Sequence, residues 1–230
     1  MDQPDGAALP VVTDLPGRSR VPASAQTGPH EQLAALIERR RGQHFRKPVA
    51  PYSAEAFARF AAVCRPGEPL IVDSCCGVGE STLHLAERFP GHFVLGVDQS
   101  ADRLSRAPAL PANARLLRAD MADIWCLLHE EGYQPARQYM LYPNPWPKIG
   151  QLARRWPAHP VFPRVLALGG IIECRSNWRV YVEEFALAAA LIAGMHAAVE
   201  DYVPDVPMTP FERKYRASGH PLYRCVLPPR

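Results

Sequence analysis

Pro143-Asn144-Pro145-Trp146-Pro147-Lys148 brings a carboxamide, an indole and an ammonium together on a stretch stiffened by three prolines. Proline fixes φ and removes a backbone donor, so a strand arriving through Met140 and Leu141 must leave its sheet here in a rigid loop. A stiff frame with one polar head, one flat ring and one cation suits the recognition of a planar base. A second stretch, Asp73-Ser74-Cys75-Cys76-Gly77-Val78-Gly79-Glu80, sets two glycines between an acid and the start of a helix. Gly77 and Gly79 allow a tight turn and let a ligand approach the backbone. Asp98 follows at about 20 residues, the separation at which an acid ending the second strand meets ribose hydroxyls.

The dinucleotide fingerprint G-x-G-x-x-G is incomplete, because Thr82 occupies its third position. In pyrophosphate binders that glycine lets the helix pack close to the strand. Its absence favours S-adenosylmethionine (SAM), which has no pyrophosphate, over a nicotinamide dinucleotide. Asp120 has two readings, as acceptor for an adenine amino group or as cap of a helix beginning at Met121. Asp98 could likewise simply open the turn at Gln99 and Ser100. Vicinal Cys75 and Cys76 read as small residues packed under the loop rather than as a redox pair.

These residues need a scaffold, and the pattern along the chain supplies one. Residues 1–29 are rich in Pro, Gly, Ser and Ala without periodicity and are expected to form a flexible tail. A helix is expected over 30–41, with Leu33, Leu36 and Ile37 on one face, inside a basic arm over 30–50. Its arginine run, Arg39-Arg40-Arg41 with Arg46 and Lys47, is either a solvated face or a phosphate-contacting arm. From Tyr52 onward helices and strands alternate. Ser53 is expected to cap a helix running to about 63. Strands are expected over 70–73, 92–98, 114–117, 138–142, 171–174, 198–203 and 223–227. Helices are expected over 80–89, over 121–131 and from about 181. This alternation implies an α/β fold, a mostly parallel twisted sheet with helices on both faces, in a single domain over 30–230. Ligands collect beyond the carboxyl ends of such strands, where Asp73, Asp98, Asp120 and Asn144 all fall.

The 230 residues are 47% apolar, enough for one sizeable core, and the formal charge of +3 permits a nucleic-acid partner without demanding one. Six cysteines form no C-x-x-C pair and no cluster with zinc spacing, so no metal is expected. With no signal peptide the thiols are expected to be reduced in the cytoplasm. The longest apolar run, over 185–199, holds Gly194 and His196 and is too short to span a bilayer. It should be a buried helix leading into the next strand. No membrane partner follows, and a monomer or a homodimer fits equally.

Over about 70–224 these motifs resemble the bacterial tRNA (guanine-N7)-methyltransferase family. The likeness is carried by 73–82, Gly96-Val97-Asp98, 143–148, Arg154-Arg155, Leu168-Gly169-Gly170, Ser176-Asn177-Trp178, 201–204, 209–213 and Gly219-His220-Pro221. It implies a Rossmann-like class I SAM-dependent methyltransferase fold, with tRNA or another RNA as partner. By this resemblance Asp73 and Asp98 would hold the methionine and ribose portions of SAM, together with the glycine turn, and Asp120 its adenine end. Lys148, Ser176, Asn177, Thr209 and Glu212 would face the guanine and its flanking phosphate. Plainer roles also fit: Lys148 as a surface lysine, Glu212 as a helix-face charge, Thr209 as the cap of a final short helix.

Two departures stand out. The family has aspartate, treated as catalytic, where this chain has Asn144, and Thr-Asp where it has Ser176-Asn177. The family's basic segment is also thinned here to Lys148, Arg154 and Arg155. Guanine N7 has a lone pair and no proton to lose, so methyl transfer to it needs no general base, and an asparagine slows the reaction without abolishing it. The Asn-Pro-aromatic sequence equally resembles methyltransferases that act on exocyclic amines. An exocyclic amine of RNA or a small molecule is therefore the rival acceptor, and a non-catalytic tRNA-binding paralogue is the third reading.

Overall fold

In the computed structural model, residues 19–43 and 45–229 are described. Seven strands form one sheet: β1 (Leu70–Ser74), β2 (Phe93–Asp98), β3 (Ala114–Arg118), β4 (Arg137–Leu141), β5 (Ile171–Ser176), β6 (Val199–Asp201) and β7 (Tyr223–Leu227). Their order is β3-β2-β1-β4-β5-β7-β6. The five strands from β3 to β5 run parallel, and β7 enters antiparallel between β5 and β6. Register is tight at the centre, where Ser74 of β1 stands opposite Val97 of β2 and Met140 of β4.

Each central strand is buried on both faces, as a parallel sheet covered by helices must be. Alternate side chains serve different layers. Leu70, Val72, Leu95, Val97 and Met140 join the larger core. That core is completed by α1 (Leu33–Arg39), α2 (Pro51–Ala61), α5 (Met121–Glu130), α6 (Phe162–Ala167) and α7 (Arg179–Ala193). Ile71, Val94, Tyr139 and Leu141 point the other way, toward Leu85 and Ala86 of α3 (Glu80–Arg88). Asp73 shares the alternation of Ile71, and so faces α3.

The strand order reverses between β1 and β4, and the two loops singled out in the sequence leave the sheet there side by side. Two connections differ from expectation. Pro51 takes the first position of α2 and Ala50 precedes it, so Ser53 does not cap the helix. Its buried hydroxyl instead accepts from the Asp120 amide at 3.1 Å, tying α2 to the end of β3. A short helix, α4 (Ala101–Leu104), follows β2 unforeseen; Ser100 caps it by accepting from the Arg103 amide. At the other end of the chain α8 (Pro210–Ala217) starts at Thr209, whose hydroxyl accepts from the Glu212 amide.

Residues 1–18 of the expected tail lie outside the described residues, but residues 19–29 do not behave as a tail. They carry no regular structure and are hydrogen-bonded to the body at Pro147, Arg155, Glu184 and Ser218. Among the described residues no helix is long and apolar enough to cross a membrane.

Candidate active site

Asp73 stands one residue before the end of β1, with no exposed surface. One carboxylate oxygen accepts from the hydroxyls of Ser81 at 2.6 Å and Thr82 at 2.7 Å, both in the first turn of α3. The other oxygen is buried without a partner. Burial raises the Asp73 carboxyl from 3.8 to about 6, against the pull of those two hydroxyls.

Thr82 also explains how the helix packs without the third glycine of the fingerprint. A side chain at Gly96 of β2 would lie 2.3 Å from Thr82 Oγ1 and 2.6 Å from Leu116 Cδ2. The space that a helical glycine would open is supplied by a glycine on the strand, and the helix gains a hydroxyl for Asp73 in return.

The loop after β1 is strained and braced. Cys75 adopts φ 59°, a left-handed conformation that side chains disfavour, and Gly77 and Gly79 share that region at φ 62° and 77°. Asp98 braces the turn, accepting from the Gly77 amide at 2.9 Å and the Ser100 amide at 2.8 Å. A Cβ on Gly77 would meet nothing within 4 Å, so the loop presents bare backbone to open space, whereas one on Gly79 would strike Leu116. Burial, with the Asp98 charge next, pushes the Cys75 thiol up to about 12. Neither it nor Cys76, whose thiol burial also raises, supplies a thiolate nucleophile near neutral pH.

Across the sheet switch, β4 ends at Leu141 and the chain turns sharply. Tyr142 and Trp146 have φ 52° and 45°, which with Cys75 makes three left-handed non-glycine residues among those described. All three stand in the loops that follow β1 and β4. Such conformations cost about 1–3 kcal/mol each and persist only where the surroundings over-determine them. Asn144 and Lys148 are exposed on this loop, and the Asn144 carbonyl has only a long contact, 3.5 Å, from the Trp146 amide. Arg154 stacks on the Trp146 ring at 4.2 Å. Arg155, read from sequence as part of a thinned basic face, is fully buried instead.

The remaining candidates line the same corner from behind. Glu212 has no exposed surface; its carboxylate accepts from the Tyr142 hydroxyl at 2.7 Å, Arg175 Nη1 at 3.0 Å and the Met208 amide at 2.7 Å. Thr209 is buried and spends its hydroxyl on capping α8. Ser176 accepts from the Trp178 amide at 3.1 Å. Asn177 meets His220 Nδ1 at 3.1 Å, and His220 Nε2 lies 2.8 Å from the Ser19 carbonyl. Because that carbonyl can only accept, Nε2 carries the proton and Nδ1 accepts from the Asn177 amide. Asp120 caps α5 through the Ala122 amide and pairs with Lys47 at 2.5 Å, leaving its carboxylate partly exposed.

Beside the glycine turn lies a cavity of about 190 Å³ lined by Cys75, Gly77, Arg103, Leu141, Thr209 and Phe211, among others, and by no residue of the 143–148 loop. It joins the glycine turn, the end of β4 and the start of α8 in one crevice. Larger openings flank α1, one of about 570 Å³, but they touch neither loop's strand end. Two features of this corner suit SAM, one of them on Asp73, which is fully buried and stands behind the lining of the cavity. The unpartnered Asp73 oxygen lacks a donor that an ammonium could supply, and the open backbone at Gly77 leaves room for a ligand.

Sequence reasoning named Arg155 but not its buried role, and missed Glu184, Tyr142 and Gln26. The first two show no motif signal as a pair, since their pairing depends on where α7 packs.

Comparison with known proteins agrees with this geometry. A family model described as "Putative methyltransferase" matches residues 67–225. A protein of Nocardioides sp. (strain ATCC BAA-499 / JS614) named tRNA (guanine-N(7)-)-methyltransferase is 29% identical, over 84% of this chain and 90% of its own. One of the same name from Ralstonia nicotianae is 25% identical over 99% and 92%. Among solved structures, an antibiotic-related methyltransferase superposes with a TM-score of 0.51 at 15% identity, covering 78% of this chain and 96% of that one. The 16S rRNA methyltransferase KamB gives 0.51 at 18%, covering 80% and 97%. At these identities the structural likeness is one of fold. With most of its length inside the family match, and its two loops leaving neighbouring strands at the sheet switch, the chain belongs to this methyltransferase family.

Proposed function

We propose that this chain transfers a methyl group from SAM to guanine N7 of tRNA, as one domain acting in the cytoplasm. The observation that carries the reading is a crevice that joins the glycine turn after β1 to Leu141 at the end of the neighbouring strand β4, from which the Asn144 loop departs. SAM supplies an electrophilic methyl on a positively charged sulfonium. Asp73 offers its free oxygen to the ammonium of the methionine part, and Asp98, already fixed by two amides, keeps lone pairs for the ribose hydroxyls. Asp120 lies at the far end of the same row of strand tips, where the adenine would reach.

On the acceptor side the N7 lone pair forms the new C–N bond as the S–C pair returns to sulfur, and no proton moves in that step. Alignment of nucleophile, methyl and sulfur therefore sets the rate. Asn144 is exposed and loosely tied, so its amide can pair with the guanine edge, donating to O6 or accepting from N1 or N2. Lys148, exposed on the same loop, would meet the flanking phosphate. Glu212, Thr209, Ser176 and Asn177 act on that base through the residues they hold: Tyr142, α8, the start of α7 and His220.

The test is mass spectrometry of tRNA nucleosides after incubation with SAM, together with strand cleavage at 7-methylguanine by reduction and aniline. A methylated product without that cleavage would move the acceptor to another atom. The amide at Asn144 favours one such alternative, an exocyclic amine whose proton its carbonyl accepts. Asn144→Asp separates the two: with N7 as target the rate holds or rises up to about tenfold, the scale of a charge-assisted hydrogen bond. With an amine as target it falls steeply.

A further inference from the structure

The acceptor loop is stiffened by its prolines but strained at Trp146, and little within it holds that residue in place. Trp146 sits at φ 45°, and the prolines on either side of it cannot donate a backbone hydrogen bond. Its carbonyl is held from below by Arg155 Nε at 3.1 Å. The same guanidinium reaches the Lys148 carbonyl at 3.3 Å, Glu184 of α7 at 2.6 Å and the Gln26 side-chain carbonyl at 2.7 Å. It also lies over the Trp178 ring at 4.8 Å.

Arg155 and Glu184 are both completely buried. A buried ion pair contributes little net stability over an apolar pair of the same volume, because both ions must be desolvated. Its geometry here points to a different use. The planar fork of an arginine fixes several acceptors in one plane, and two of those acceptors are carbonyls of the loop that carries Asn144 and Lys148.

The outer half of the clamp comes from the amino-terminal segment. Gln26 accepts from Arg155 and donates to Glu184 at 3.2 Å, while the Glu184 carboxylate also accepts from the His30 amide at 3.0 Å. Ser24 donates to the Pro147 carbonyl at 2.8 Å and accepts from the Gln26 amide at 3.1 Å. Three consecutive anchor points on the loop, the carbonyls of Trp146, Pro147 and Lys148, are thus held by Arg155 and Ser24.

We infer that Arg155 is a positioning residue for methyl transfer, and that Ser24 and Gln26 are working parts of the acceptor site. Together with Glu184 they hold the loop in the strained form that sets where Asn144 and Lys148 stand. This inference rests on the proposed reaction for its kinetic consequence, but the clamp itself has an independent readout. Lys148 is exposed, so tryptic cleavage after it reports how firmly the loop is held.

The test uses the full chain with Ser24→Ala and Gln26→Ala combined, and separately Arg155→Lys. Both changes in the first variant lie on half-buried side chains outside the core, so it keeps the test open should Arg155→Lys fail to fold. The expected result is a fall in kcat of roughly 10–100-fold, the scale of a small misplacement of reacting groups. The Kd for SAM stays within about twofold, and cleavage after Lys148 accelerates by about tenfold or more, because local opening governs proteolysis of a folded chain. A folded double variant that keeps wild-type kcat and slow cleavage overturns the inference. So does a loss of SAM affinity in step with thermal stability, which would make the network merely structural. If the wild-type chain methylates no tRNA, the functional reading fails, and the cleavage rate alone decides the clamp.

Discussion

Asp73→Asn should make the protein more stable at neutral pH while weakening its hold on SAM. Asp73 is wholly buried, one of its oxygens has no partner, and its carboxyl is raised from 3.8 to about 6. A raised carboxyl binds its proton more tightly folded than unfolded. Its contribution to stability is therefore fully present below 3.8 and is lost as pH rises through about 6. A shift of about two units corresponds to about 3 kcal/mol, at ~1.36 kcal/mol per unit, as the destabilisation carried by the charged form above pH 7. Asparagine is isosteric and never charges, so the variant should match the wild type near pH 4, exceed it increasingly as pH rises through about 6, and level off above pH 7. The rise to about 6 is already net of the Ser81 and Thr82 hydroxyl bonds, which favour the charged form.

Urea unfolding of both proteins across pH 4.5–8 measures the difference directly. A cationic ligand should reverse the preference, since an ammonium near Asp73 favours its charged form. SAM affinity in the wild type should thus rise as pH rises through about 6, and the variant should lose both affinity and pH dependence. A stability difference that is flat, or that favours the wild type increasingly at high pH, would refute the reasoning. It would mean that the Ser81 and Thr82 bonds outweigh desolvation.

Two further changes probe the donor side. Cys75→Gly removes a side chain from φ 59° and should stabilise the fold by about 1 kcal/mol, less the extra chain entropy of glycine, with SAM affinity retained; thermal melts and calorimetry check it. Gly96→Ala drives a methyl group to within 2.3 Å of Thr82 Oγ1 and should cost about 1–3 kcal/mol by overpacking, while loosening the Thr82 bond to Asp73. Unchanged denaturant midpoints in that variant would show that α3 does not rest on β2 as described.

Much of this protein is legible from local pattern. Period and punctuation place β1, β2 and β4, because a strand buried on both faces must be a short apolar run bounded by turn residues. The glycine turn and the Pro143–Lys148 loop are legible for the same reason: proline and glycine act on their own backbone, whatever surrounds them. Capping is legible only in part. Asp120 and Thr209 do cap α5 and α8, but Ser53 loses that role to Pro51 and is turned inward to the Asp120 amide.

Tertiary structure alone decides which polar side chains reach the ligand and which hold the frame. Glu212 and Arg155 are charged residues in motif positions, and sequence has no means of showing that both are buried. Their partners lie far along the chain, Glu212 with Tyr142 and Arg155 with Glu184 and Gln26, and they meet only because β4, β5 and α7 pack as they do. Local pattern records what a residue does to its own backbone. Long-range pairing of buried charges is set by the geometry of the completed sheet, which no window of sequence contains.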